Sequence, residues 1–425
     1  MAPLPYLTGQ IPGIGGRIKD CQEDFLVEEL PLYQPCGEGT HVYFRVVKTG
    51  IPTLAAVDRI ARYMGVRPHD IGVAGLKDAQ AVATQMMSLE HADEAKLSAY
   101  RDAQMRVVWT GRHGNKLRPG HLAGNRFVIR IRGVGAEQLA SAQAILEVLI
   151  RRGVPNFFGH QRFGARGETA RLGEAMIRGD LEEFFAVFLG RSMPTDPPDC
   201  RAARDAFDAG FLTRALDRWP RHYYNERKAL AALKRRGRPG AAMSAVDKRM
   251  KRLYVSAFQS EIFNEVLVRR LDDIDRVQTG DLAQKTDSGG VFLVTDAAIE
   301  QPRAERFEIS PTGPIVGYRG NLAEGRPGEI ERAVLAEHKV NPDDFRRVGT
   351  LKVKGGRRAL RFKTDSPALS AGADQRGEFL TLAFTAPPGC YATIILREIT
   401  KTEPVVEDSG DSPSDPEDTD QTQTH

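Results

Sequence analysis

The chain is poor in cysteine and has no paired cysteines. Cys21, Cys36, Cys200 and Cys390 are its only four among 425 residues, and they are too scattered to form a Cys-x-x-Cys. That spacing argues against a zinc ribbon, a redox dithiol or a disulfide framework, and it suits a reducing compartment. Histidine is also sparse. His41, His113, His121 and His160 each stand alone, with no His-x-x-x-His and no deaminase-type His-x-Glu joined to a cysteine pair, so metal hydrolysis and zinc deamination are disfavoured. No Gly-x-x-x-x-Gly-Lys-Ser/Thr occurs, which disfavours nucleoside triphosphate chemistry. Pro12-Gly-Ile-Gly-Gly is glycine-rich, but it neither follows a strand nor opens a helix and makes a poor dinucleotide site. No apolar run reaches the roughly 18–20 residues of a membrane span. The start, Met-Ala-Pro-Leu-Pro-Tyr, lacks the basic and apolar regions of a secretion signal, so a cytoplasmic location is expected.

What is present is a basic globular body. The hydrophobic fraction of 41% and charged fraction of 27% are those of an ordinary globular chain, and its length predicts two domains rather than one core. Residues 403–425 hold eight acids and no Lys or Arg, so residues 1–402 carry +12 of a net +4. A basic body with an acidic tail fits a polyanionic partner. Simple solubility explains the same numbers, and charge alone does not choose between them.

Periodicity predicts three helices: 53–64, with Thr53 as its cap and Gly65 as its stop, then 136–152 and 255–272. Period-two alternation predicts strands around Val42–Val46, Phe127–Ile131, 379–384 and 391–397. The prolines of 193–204 predict a loop, and Lys234-Arg-Arg-Gly-Arg-Pro-Gly predicts a second, basic loop. The tail, 403–425, has almost nothing to bury and is expected to be disordered. Strand signals dominate 17–133 and return at 379–397, with a helical middle. The expected fold class is therefore α+β: a strand-rich domain interrupted by a mostly helical insertion, its last strands supplied by the C-terminal segment.

Four segments mix glycine, aromatics and charge as no plain core would. The first, Lys19-Asp-Cys-Gln-Glu-Asp-Phe-Leu-Val-Glu-Glu, also reads as a strand with Phe25 and Val27 inward and its charges solvated. In the second, 71–85, a short strand runs into a glycine turn presenting Lys77 and Asp78. This is either a surface ion pair of little energetic consequence or a carboxylate held beside a cation that keeps it ionised, where small residues let a ribose approach. The third, Gly124-Asn-Arg-Phe-Val-Ile-Arg-Ile-Arg, alternates Arg126, Arg130 and Arg132 with packing residues. It suits phosphate contact or a solubilised edge strand. The fourth, Val154-Pro-Asn-Phe-Phe-Gly-His-Gln-Arg-Phe-Gly, places Phe158, Gln161 and Arg162 as base-recognition chemistry requires, or else forms an aromatic hinge.

In this order the segments resemble the tRNA pseudouridine synthase D (TruD) family. The matching stretches are Lys19 with Glu23-Asp24-Phe25, Gly75-Leu-Lys77-Asp78 with Ala81, Thr84 and Gln85, Gly124-Asn125-x-Phe127, and Pro155-Asn156-x-Phe158-Gly159-x-Gln161-Arg162-Phe163-Gly164. Arg252-Leu-Tyr-Val-Ser-Ala-Phe-Gln-Ser-x-Ile-Phe-Asn264 is similar to the family's arginine-led helix, and Tyr391-Ala-Thr-x-x-Leu-Arg397-Glu398 to its closing strand. The resemblance implies a pseudouridine synthase catalytic domain around a mixed or antiparallel sheet, formed by 1–155 and 361–402. The inserted TRUD domain is then 156–360.

The resemblance also implies the reaction, isomerisation of a flipped-out uridine in tRNA, typically uridine 13, with Asp78 at the catalytic position. The uracil must leave C1′ through nitrogen and return through C5, so Asp78 acts either as nucleophile at C1′ or as base at C2′. Substrate and product are isomers, so no cofactor and no metal are called for. The expected partner is tRNA, with no obligate protein partner and no membrane. Phe127 is the expected stacking platform for the flipped base, and Asn125 meets the uracil edge or fixes the loop. Lys77 is expected to tune Asp78 or meet a phosphate. Lys19 and Glu23 line the pocket, and Phe158, Gln161, Arg162 and Tyr391 complete the substrate contacts. Two alternatives stay open: a non-catalytic RNA-binding or folding module, and a synthase acting on other RNA.

Overall fold

The computed structural model describes residues 3–402 except 347, 349 and 350, so the acidic tail lies outside the described residues. The chain divides into two compact units, one comprising Pro5–Asn156 with the chain from Arg361, the other Phe157–Leu360 with Met1–Leu4. The fold is α+β with a mixed main sheet. No described helix is long and apolar enough to cross a membrane.

The first unit is built on an eight-stranded sheet. Its strands include β1 (Phe25–Pro31), β2 (His41–Thr49), β3 (Gly72–Val73), β4 (Val82–Glu90), β5 (Met105–His113) and β6 (Leu122–Arg132). The C-terminal hairpin, Asp365–Asp374 and Gly377–Ala386, joins the sheet at β6, and the order continues through β1, β4, β2 and β5. Only β1 and β4 run parallel; every other pair is antiparallel. β2 occupies one edge of β4 along its length. β1 and β3 share the other edge, β1 beside residues 82–84 and β3 beside 87–88. The ladder is therefore open at Gln85 and Met86, and Asp78 lies on the connection from β3 to β4.

Alternation places Phe25, Val27 and Glu29 on one sheet face with Ala83, Gln85 and Met87, Phe44, Val46 and Lys48, and Phe127 and Ile129; all are buried. Helix Thr53–Met64 covers part of that face with Ala56, Val57, Ile60 and Ala61. Its N-cap is Pro52, not Thr53, and Thr53 is free to use its hydroxyl elsewhere.

Several expectations are corrected. The run 391–397 is not a strand, because helix Ala392–Thr400 occupies it, buried from Ile394 to Thr400. A short apolar run enclosed on every side carries no period that separates strand from helix. The last turn of this helix fixes the start of the chain instead. Glu398, fully buried, accepts from the backbone N–H groups of Leu7 and Thr8 at 2.8 and 3.1 Å, and Arg397 lies over the Tyr6 ring at 3.8 Å.

β6 is not an edge, and its arginines do not form one exposed row: Arg126 is exposed and Arg130 half-buried, but Arg132 faces the interior. Arg132 is buried and grips Asp24 through two 2.7 Å bonds and Asp374 at 2.8 and 2.9 Å, tying the start of β1 to the C-terminal hairpin. The charges of 19–29 are accordingly not all solvated, since Asp24 and Glu29 are buried. Burial opposes ionisation of Asp24, but the Arg132 guanidinium outweighs it and holds the carboxyl below the usual range.

The second unit is mostly helical. Helices Thr169–Arg178, Leu181–Leu189, Tyr224–Arg236 and Lys248–Arg269 pack around Phe184, Phe188, Tyr254 and Phe258. A four-stranded sheet, ordered Gly356–Ala359, Ile309–Ile315, Leu282–Lys285 and Val291–Leu293, completes it. Gly173 lets two helices meet, because a Cβ there would fall 2.0 Å from the Tyr254 carbonyl. The expected loop at 193–204 gives way to helix Pro198–Asp208, whose Pro198 occupies the first turn, where no N–H is needed. The basic loop at 234 is reduced to Gly237 and Arg238 between helices Tyr224–Arg236 and Pro239–Ala245. The helix expected at 255–272 starts earlier, at Lys248.

Candidate active site

Asp78 sits on the β3–β4 connection with its side chain 33% exposed. Its Oδ1 accepts from the backbone N–H of Gln80 at 2.9 Å, which closes a tight local turn. Its other oxygen, Oδ2, is ion-paired with the ammonium of Lys19. Lys19 takes a left-handed backbone conformation (φ 61°) to reach it, an arrangement costing a non-glycine residue about 1–2 kcal/mol. Its Nζ also lies 4.7 Å over the Phe25 ring.

The connection is held from beneath by charges that should not be buried on hydrophobicity alone. Lys48, fully buried, donates to the carbonyls of Ile51, Asp78 and Lys77 at 2.5, 3.0 and 3.3 Å. Lys77 does not face Asp78. Its ammonium turns inward to Glu29 at 2.6 Å, with side-chain exposures of 5% and 1%. This corrects the expectation that Lys77 tunes Asp78 or meets a phosphate: the neighbouring cation is Lys19, distant in sequence. The backbone N–H of Lys77 donates to the Thr53 hydroxyl at 2.9 Å, and that hydroxyl donates to Gln85 Oε1 at 2.9 Å. Glu29 accepts from Met86 N–H at 3.1 Å, filling the opening in the β4 ladder with a side chain. Asp78 is thus the exposed tip of a turn fixed by buried, mutually paired groups.

Beside this turn, Glu29 stands opposite Asn125 across β1 and β6, and Val27 opposite Phe127. Asn125 Oδ1 is buried without a hydrogen-bond partner among the described residues, as is Gln85 Nε2. Orphaned polar atoms are uncommon in a protein interior. The Phe127 ring is stacked on Phe384 at 5.2 Å and meets Phe25 edge-on at 6.1 Å. At 8% exposure it is a wall of the site and not the free platform expected.

Glu23 is exposed on the 3₁₀ turn Gln22–Asp24, and Tyr391 is half-buried at the start of helix Ala392–Thr400. Phe158, Gln161 and Arg162 belong to the other unit. The Phe158 backbone is bonded both ways to the Asn264 amide at 2.9 and 3.0 Å, and its buried ring packs against Phe263 and Arg358. Arg162 is buried against Ser256 and Ser260, and Gln161 alone is exposed. The base-stacking role expected of Phe158 and Arg162 is therefore replaced by a core role. Sequence reasoning does not single out Glu29 or Lys48. Each continues an alternating series of buried positions, Phe25-Val27-Glu29 and Val42-Phe44-Val46-Lys48, and a charge at the next inward position was the available signal.

A family model described as tRNA pseudouridine synthase D (TruD) matches residues 3–399 of the chain. Curated relatives bearing that name are similar over nearly their whole length. The protein from Geobacter metallireducens is 46% identical over 397 residues, 93% of this chain and 97% of that one. Its counterpart from Geobacter sulfurreducens is 44% identical over 397 residues, with 93% and 96% covered. A crystal structure from Methanosarcina mazei assigned to tRNA pseudouridine synthase D superposes with a TM-score of 0.82 at 28% identity, covering 94% and 96% of the two chains.

Proposed function

The chain belongs to the tRNA pseudouridine synthase D (TruD) family, an isomerase family acting on tRNA, and from that premise we propose that it converts uridine 13 of tRNA to pseudouridine with Asp78 as the catalytic carboxylate. The observation that carries the reading is the mounting of Asp78. One oxygen is spent on a backbone N–H and the other is paired with Lys19, on a turn that Lys48, Lys77, Glu29 and Thr53 immobilise. A nucleophile or base must be held in reacting geometry, and rigid support of this kind supplies it.

In the reaction the N1–C1′ bond breaks and a C5–C1′ bond forms. The proton on C5 leaves to solvent and N1 gains one, so atoms and electrons balance without a redox partner. Asp78 attacks C1′ or removes the C2′ proton, and either role needs the carboxylate oxygen that Lys19 now holds. Lys19 must shift from Oδ2, and once displaced it is available to a phosphate or to the departing base. Asn125 Oδ1 is the acceptor for an N–H of the uracil edge, which would satisfy an atom otherwise orphaned. Phe127 borders the base as an apolar wall. In this reading the unit carrying the eight-stranded sheet is catalytic and Phe157–Leu360 is the inserted TRUD domain.

The test is tritium release from C5 of uridine-labelled tRNA, with the modified position then mapped. Wild type is expected to release tritium at uridine 13. Asp78→Ala and Asp78→Asn are expected to lose at least about a thousandfold in rate, on the order of 4 kcal/mol of transition-state stabilisation. Equal release by wild type and Asp78→Asn, or release from a different position, would overturn the reading.

A further inference from the structure

The basic charge of this chain is concentrated in one stretch. Residues 221–252 hold eleven Lys and Arg against two acids, +9 of the +12 carried by residues 1–402. One of the two acids, Glu226, is half-buried. Helix Tyr224–Arg236 buries Ala229, Leu230 and Ala232 against the unit's core. Its opposite face, at helical spacing, presents Tyr224, Lys228, Ala231 and Arg235, all exposed, with Tyr224 at 69%. Lys234 and Arg236 flank the stripe in the last turn of the helix and Arg238 lies just past its end; all three are also exposed. Among the described residues none of Lys228, Lys234, Arg235 and Arg238 forms an ion pair. Arg227, by contrast, is spent internally on the Leu216 and Trp219 carbonyls at 2.7 and 2.5 Å.

Two structural explanations fall short. Cations in the last turn of a helix are favoured by its dipole, which covers Lys234, Arg235 and Arg236 but not Lys228 in the second turn. Lys248 and Arg249 lie in the first turn of helix Lys248–Arg269, where the dipole opposes them and Asp247 alone caps the backbone at Arg249 N–H, 2.7 Å away. That placement costs stability. A solubilising surface mixes both signs, and this one does not.

We propose that the exposed stripe of helix Tyr224–Arg236, from Tyr224 to Arg238, is a binding rail for the phosphate backbone of the tRNA, with Tyr224 as a stacking contact at one end. Its helical part, Tyr224 to Arg235, spans about 16 Å at 1.5 Å per residue, long enough to follow a strand. It rests on the reading that tRNA is the substrate, and it assigns uptake of that substrate to a surface distinct from Asp78. Phosphate contacts set affinity and register without reading sequence, so the rail contributes to binding and not to the chemical step.

The experiment compares full-length wild type with a variant carrying Lys228→Gln, Lys234→Gln, Arg235→Gln and Arg238→Gln. A control carries four neutralisations elsewhere in the same unit, Lys285→Gln, Arg326→Gln, Arg332→Gln and Lys339→Gln. The Kd for tRNA is measured from low to moderate salt, and KM and kcat on the same tRNA. The rail variant is expected to bind at least about tenfold more weakly, and the slope of log affinity against log salt should fall by about 3, from a contribution of 0.7–0.9 per phosphate. KM should rise with kcat within about twofold, and the control should change little. Tyr224→Ala should weaken binding by a few-fold with the salt slope unchanged. An unchanged Kd and slope in the rail variant would overturn the inference, and so would an equal loss in the control, which would make it a net-charge effect. A wild type that binds tRNA with the expected dependence on these residues but makes no pseudouridine would sink the catalytic reading and leave the rail standing.

Discussion

Segments 71–85 and 154–164 are alike as sequence: each sets charge among glycines and small or aromatic residues, and each invites a functional reading. In three dimensions they diverge. The first ends in a carboxylate one-third exposed on a turn clamped from below. The second turns its phenylalanines and Arg162 into the core of its own unit. The difference lies in where the buried partners are. Around Asp78 the interior charges pair with one another and leave the carboxylate tip outward. In 154–164 the Phe158 backbone and the Arg162 guanidinium are engaged by Asn264, Ser256 and Ser260 of one helix, and Gln161 stays exposed. A mixture of glycine, aromatics and charge marks a demanding backbone, and whether the charged side chain points outward or into the core separates these two segments.

That distinction is most sharply broken at Glu29. Replacing it by Ala leaves Lys77 buried without its anion and reopens the β4 ladder at Met86. The expected cost is about 3–5 kcal/mol of stability, and kcat should fall about a hundredfold because Asp78 loses its mounting. Glu29→Gln, which keeps the size and one acceptor, should recover much of the stability but not all the rate. Chemical denaturation and single-turnover tritium release read the two effects. A variant that lost stability with kcat intact would show that the clamp does not position Asp78.

Arg132→Ala tests the same logic where no chemistry is assigned. It strands Asp24, fully buried, and frees Asp374, so about 3 kcal/mol or more should be lost. The residual folded protein should turn over normally. In the 154–164 segment, Phe158→Leu should cost about 1–2 kcal/mol through lost packing against Phe263 and Arg358, with kcat unchanged within about twofold. A large kcat effect with stability preserved would restore the base-recognition role.

Much of the fold was legible in the sequence, for identifiable reasons. The helix beginning at Thr53 and the strand through Phe127 have one covered face each, so their periods survive in the sequence. The final helix, Ala392–Thr400, is enclosed all round and reads as a strand, and Pro198 looks like a breaker because its tolerated place in a first turn is a property of the helix it starts. At the site, Asp78 stood out through its glycine turn. Its true cation did not: Lys77 is adjacent in sequence but points inward, and Lys19 reaches Asp78 only because the fold brings the two together. Adjacency along the chain gives no direction to a side chain.

The smallest effect concerns the helix that absorbs the second segment. Helix Lys248–Arg269 carries Ser256, Ser260 and Asn264, and also Glu265, which meets His338 Nε2 at 3.1 Å; Glu174 meets Nδ1 at 3.3 Å. Glu261 nearby adds further negative charge when ionised, although burial raises its pKa. The Glu174 and Glu265 hydrogen bonds push the His338 pKa up from 6.5 to about 10, against the opposing effect of burial. A folded pKa above the unfolded one means the imidazolium stabilises the fold fully below about pH 6.5, and that this contribution fades as pH rises towards about 10. Wild type should therefore lose several degrees of Tm between pH 6.5 and 10 that His338→Gln does not lose, each kcal/mol being worth about 2–4 °C in a unit of about 200 residues such as Phe157–Leu360. Parallel Tm–pH curves for the two proteins would show that the triad is spectator charge. A selective fall in the wild-type curve would tie the packing of the second segment to a titrating group, whereas the Asp78 turn is held from beneath by the buried Lys77–Glu29 pair.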